Sequence, residues 1–129
     1  MRLTVTPVDA TPTEIKYHSV SRVLEISFDN GLSFTLPCEY LRVFTPSAEA
    51  LGHSPGQEVL QVNKENVTIL EIKPVGNYGI SPTFSDGHNS GIYTWALLYK
   101  LGAEYETLWA AYLQKLAAVG IQHAALSQH

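Results

Sequence analysis

The chain has little of several things that usually announce a function. One cysteine, Cys38, occurs in 129 residues. It closes no intramolecular disulfide and cannot supply the thiolate set of a structural zinc site or an iron–sulfur cluster. Basic residues are also few, with eight Lys and Arg set singly against twelve Asp and Glu for a net charge of -4. No basic stripe exists to neutralise a run of phosphates, so nucleic acid is not expected as a partner. Long apolar runs are missing too. None approaches the ~20 residues that cross a bilayer, and the first ten residues have neither a basic start followed by an apolar segment nor a cleavage site, so no membrane partner is expected and a cytoplasmic location fits. A phosphate-binding loop and a dinucleotide fingerprint are likewise missing.

What is present is the composition of one globular domain: hydrophobic residues make up 45% and charged residues 16%. Pro7, Pro12 and several Thr make residues 1–12 read as a loosely held arm. Glu14 to His18 and Arg22 to Phe28 read as strands, the second with Leu24, Ile26 and Phe28 on one buried face. Asp29-Asn30-Gly31 predicts a hairpin turn, and Leu32, Phe34 and Leu36 alternate inward after it. Pro37 closes that strand. Cys38 reads as a small buried apolar side chain, and Glu39 to Phe44 has room for a turn or two of helix before Pro46.

Thr45 to Gln57 reads as an irregular connection, with one short helical turn at Ser47 to Leu51. Val59 to Gln61 predicts weak strand pairing and Asn63 to Asn66 a polar turn. Val67 to Pro74 predicts a strand with Val67, Ile69 and Glu71 on one face, and Gly76-Asn77 turns it into a partner, Tyr78 to Phe84, whose Pro82 belongs at an edge or bulge. Asn89 or Ser90 then caps a helix over Ile92 to Leu101, with Ile92, Trp95, Leu98 and Tyr99 on one face and Gly102 as its stop. A last amphipathic helix over residues 102–120 buries Tyr105, Leu108, Trp109, Tyr112, Leu113 and Leu116, and residues 121–129 read as a frayed tail. Strands first and helices last is the α+β order: a small antiparallel or mixed sheet built from two hairpins, with helices at the C-terminal end.

The segment from Val75 to Trp95, dense in Gly and small polar residues, admits two readings. In one, its glycines make turns and Asp86 or Asn89 caps the coming helix. In the other, Asp86 and His88 face a cleft, where a carboxylate can orient an imidazole or share a metal with it, and His53, Glu49 or His18 completes the ligand set. The ligand set taken forward is His88, Asp86 and His53, holding iron or zinc. Nucleophilic catalysis lacks support, because Cys38 has no neighbouring base.

Asp29-Asn-Gly31, Leu36-Pro37, Tyr40-Leu-Arg42, Val75-Gly-Asn-Tyr78, Ser85-Asp-Gly-His88 and Gly91-Ile-Tyr-Thr-Trp95 together resemble the gamma-butyrobetaine hydroxylase-like N-terminal domain family, a domain of unknown function. The resemblance covers Thr13 to Leu101. In the hydroxylases this domain precedes a 2-oxoglutarate and iron oxygenase domain and binds a structural zinc through three cysteines and a later histidine. Carried over, the cysteine positions fall on Thr45, Ser47 and Ala50 and the histidine on His88. Only the histidine is a zinc ligand, since Thr and Ser hydroxyls do not replace thiolates and Ala has no donor, so the resemblance implies that this zinc site is lost. The oxygenase's His-x-Asp or His-x-Glu triplet does not occur in the sequence. Similar domains also resemble the C-terminal addition on some iron–sulfur scaffold ATPases. The expectation is therefore a stand-alone, non-catalytic accessory domain with an unknown protein partner and no bound cofactor, the alternative being a metal-binding protein linked to iron or iron–sulfur chemistry.

Overall fold

A computed structural model of the chain describes residues 10–46 and 60–123. The fold is α+β. Strands β1 (Pro12–His18), β2 (Val23–Phe28) and β3 (Ser33–Pro37) form one antiparallel sheet in that order, and β4 (Ile69–Val75), β5 (Gly79–Phe84) and β6 (Tyr93–Thr94) form a second. Helix α1 (Cys38–Val43) follows the first sheet, and α2 (Trp95–Ala103) and α3 (Tyr105–Ala118) follow the second. No helix among the described residues is long and apolar enough to cross a membrane.

The first sheet is built on period-two alternation. Leu24, Ile26 and Phe28 are fully enclosed and face the core with Leu36 of β3. The hairpin turns at Asp29 to Gly31, where the Asn30 side-chain oxygen accepts the Leu32 N–H at 3.0 Å. Leu32, expected inward, belongs to this turn and is 47% exposed. The arm read as loose over residues 1–12 joins the fold at its end: Ala10 is buried, the Thr11 carbonyl accepts the Asp29 N–H at 2.8 Å, and Pro12 opens β1.

The second sheet departs from the expected alternation at one residue. Opposite the Thr83–Phe84 step, β4 carries Leu70 as an extra residue, a β-bulge that shifts the phase of the strand. Ile69 is therefore buried and Ile72 half-buried, while Leu70 and Glu71 face solvent. Pro82 lies on the central strand, but β6 pairs only with Gly79 and Ile80, so the missing Pro82 N–H breaks no ladder on that side. Leu60 and Gln61 belong to no strand, and Val59 lies outside the described residues.

The helix placed over Ile92 to Leu101 starts later. Tyr93 and Thr94 pair with β5, and Thr94, not Asn89 or Ser90, caps α2 by accepting the Leu97 N–H at 3.1 Å. Ile92 is consequently 44% exposed instead of buried. Gly102 sits inside the helix and does not end it; its function is close approach, because a Cβ there would come within 2.3 Å of the Phe34 ring. The chain breaks at Glu104 and resumes as α3, whose Tyr112 and Leu116 are buried and whose Tyr105, Leu108 and Trp109 are half-buried. One apolar cluster unites residues of both sheets with α1 and α2, and the Tyr17 hydroxyl of β1 accepts the Ile69 N–H at 3.1 Å.

Candidate functional site

Helix α1 buries Cys38, Leu41 and Arg42, spaced so that all three share one face. An arginine on an apolar helix face must find partners for its guanidinium, and the turn after β5 supplies them. That turn folds back tightly: Gly87 donates its N–H to the Phe84 carbonyl at 2.9 Å, Phe84 donates to the His88 carbonyl at 2.9 Å, and Ser85 exchanges two bonds with Thr68. The turn thereby presents the Asp86 carboxylate to α1. Arg42 Nε donates to Asp86 Oδ2 at 2.9 Å, Lys64 Nζ donates to the same oxygen at 2.7 Å, and Asp86 Oδ1 accepts the His88 backbone N–H at 3.2 Å. The remaining reach of Arg42 goes from Nη1 to Gln61 Oε1 at 2.9 Å, and the Gln61 carbonyl accepts the Tyr112 hydroxyl at 2.6 Å. Burial pushes the Asp86 carboxyl up, but Lys64, the His88 N–H and Arg42 outweigh it and hold the group down at about 2.

A second cluster lies beside the first. The His88 ring does not meet Asp86; its Nε2 lies 3.0 Å from Thr45 Oγ1. Thr45 is 2% exposed and presses so closely on Gly91 that a Cβ there would fall 2.5 Å from its hydroxyl. The buried Tyr93 donates its hydroxyl to the Leu41 carbonyl. Burial raises the Tyr93 phenol, against the opposing pull of Thr45 and Arg42. Two loops distant in sequence are thus tied by a part-buried hydroxyl–imidazole bond.

Of the residues read as a metal set, the structure places Asp86 and His88 together only through the His88 backbone. His53, and with it Glu49, Ser47 and Ala50, lies outside the described residues. His18 bonds Glu25 at 3.0 Å on the first sheet. No three His, Cys, Asp or Glu side chains converge as a metal site among the described residues. Of the four positions that the resemblance assigns to zinc ligands, the two described, Thr45 and His88, are neighbours, and their donors are one hydroxyl and one imidazole. That set does not fit zinc, which takes thiolate, imidazole or carboxylate. Cys38 is buried, donates weakly to the Tyr17 hydroxyl at 3.8 Å, and has its thiol raised by burial, which suits packing and not nucleophilic attack.

Sequence reasoning missed Arg42, Lys64 and Gln61. The available signal was the spacing of Cys38, Leu41 and Arg42, which puts a charge on a buried face that a carboxylate must meet. It also missed His123, in the tail read as frayed: this residue is 8% exposed, contacts Glu39 Oε2 at 2.5 Å and packs edge-on against Trp109.

The sequence profile of the gamma-butyrobetaine hydroxylase-like N-terminal family matches residues 15–99. The chain belongs to this family. Among solved structures, the chain is similar to a crystal structure, at 1.93 Å, of a DUF971 family protein of unknown function from Acidithiobacillus ferrooxidans. That protein is 38% identical over 78% of this chain and 100% of its own, with a TM-score of 0.63. Two NMR solution structures are also similar. One is 45% identical over 95% of this chain and 91% of its own, with a TM-score of 0.78. The other is 42% identical over 88% of this chain and 89% of its own, with a TM-score of 0.76. No curated protein matches the chain. Membership of the family thus carries a fold and a set of motifs.

Proposed function

We propose that this member of the family is a non-catalytic accessory domain that acts by binding another protein. The observation that supports this reading is the way the polar residues of the Ser85–Asn89 turn are used. Asp86 is spent on two cations and its own turn, His88 bonds a buried threonine, and the hydroxyls of Tyr40, Tyr93 and Tyr112 all donate to backbone carbonyls. A catalytic base or nucleophile needs a substrate-facing lone pair at hydrogen-bond distance, and groups held in this way form a joint between loops.

The test is nuclear magnetic resonance of isotope-labelled protein in cell extract. A contiguous set of surface amides broadening or shifting, reproduced with one purified protein, is the expected result. Unchanged amides with turnover of a small molecule would replace binding by catalysis. A metal-dependent reading would have to draw His88 away from Thr45 and Asp86 away from Arg42 and Lys64. It calls for stoichiometric iron or zinc in protein purified without chelator, lost on His88→Ala, and elemental analysis tests it.

A further inference from the structure

The first sheet ends at β1, whose outer edge carries no strand among the described residues. Of the other sheet edges, β6 is only two residues long. β4 is interrupted by the Leu70 bulge and carries Pro74, and α2 packs on β3 through the Gly102–Phe34 contact. β1 has a register shift of its own between Pro12 and Glu14, but from Glu14 to His18 its pairing with β2 is regular, and its one proline stands at the strand start. A groove runs along Thr11 to Ile15, with Asn77 and Trp95 forming the opposite wall. Glu14 of the groove and Lys16 just beyond it, 58% and 54% accessible, flank the half-buried Ile15 and form an exposed ion pair with each other at 3.6 Å in the single chain.

This charge pattern is self-complementary. If a second β1 is laid antiparallel with Ile15 opposite Ile15, Glu14 of each strand faces Lys16 of the other, and the two isoleucines meet on the axis. We infer that the occupant of this edge is a second copy of the chain, and that two β1 strands pair antiparallel across a two-fold axis into one continuous six-stranded sheet. An unrelated extended peptide would use the same backbone groups but has no reason to match an alternating Glu–Ile–Lys pattern in both directions. The inference is independent of the accessory role proposed above, because a dimer forms whether or not a further protein binds.

Sedimentation equilibrium of the full chain from about 1 µM to about 1 mM tests it. A reversible monomer–dimer equilibrium is expected, and a monomer throughout overturns the proposal. Lys16→Glu, which sets Glu against Glu at both symmetric contacts, is expected to weaken the dimer by roughly tenfold or more. The exchanged pair Glu14→Lys with Lys16→Glu restores the same contacts with the signs reversed and is expected to bring the affinity back to within about threefold. A dimer indifferent to Lys16→Glu, or a double variant as weak as the single one, places the interface elsewhere and overturns the inference. Both side chains are exposed, so the variants fold, and circular dichroism verifies it.

Discussion

In the Val23–Pro37 hairpin each buried side chain stands two positions from the next, and its partner lies directly across a short turn. In the Ser85–Asn89 turn the side chains reach Arg42, 44 positions away, Lys64, 22 away, and Thr45, 43 away. The first region is held by apolar burial, which has no direction and is insensitive to pH. The second is held by charge and hydrogen bonds, whose strength depends on protonation and on every partner being in place. The difference teaches where this domain is adjustable: the hairpin supplies bulk stability, and the turn decides how α1, the Gln61–Asn66 segment and the second sheet are fixed to one another.

The most damaging substitution is expected in the hairpin. Ile26→Ala opens a cavity at a fully enclosed site and costs about 3 kcal/mol, read by urea unfolding, with the same loss at pH 3 and pH 7 because the side chain carries no titratable group. Asp86→Asn leaves the buried Arg42 without its carboxylate and costs about 2 kcal/mol at neutral pH.

Here the sign of the pH dependence separates the two regions. The Asp86 carboxyl is held below its ordinary value of 3.8, at about 2, so its contribution is present above pH ~4 and fades as pH falls toward 2. The gap between wild type and Asp86→Asn should therefore shrink over that window, and a gap that stays constant to pH 2 would break the comparison. Gly102→Ala, which in an exposed helix would stabilise, instead drives a methyl into the Phe34 ring and costs about 1–2 kcal/mol by thermal unfolding.

The smallest expected effect is Thr45→Val, about 1 kcal/mol, from loss of the His88 bond at nearly constant volume. At the alkaline end, burial raises the Tyr40 and Tyr93 phenols and lifts Tyr112 to about 12. Their contribution is complete below pH ~10 and is lost as pH climbs past it, so phenolate absorbance should appear in step with unfolding.

Much of the hairpin was legible because its rule is local. Alternation names Leu24, Ile26, Phe28 and Leu36 as core, and Asp29-Asn30-Gly31 names the turn. The same rule failed at Leu70, since a bulge leaves the composition of a strand untouched while shifting its phase. It failed again at Ile92 to Thr94, where helical periodicity gave way to two residues of pairing with β5. The pair Asp86 and His88 was visible as polar residues in a turn, but their true partners were not, because Thr45, Lys64 and Arg42 carry no mark of being neighbours of that turn.

The sequence by itself determined the α+β order, the first hairpin, the amphipathic α3 and, through its motifs, the family. The tertiary structure decided which polar groups meet. Hydrophobic burial is encoded in the spacing of residues along one strand or helix, so it can be read in one dimension. A hydrogen bond needs two atoms within about 3 Å, and for groups more than 40 positions apart that distance exists only once the two sheets and α1 have packed.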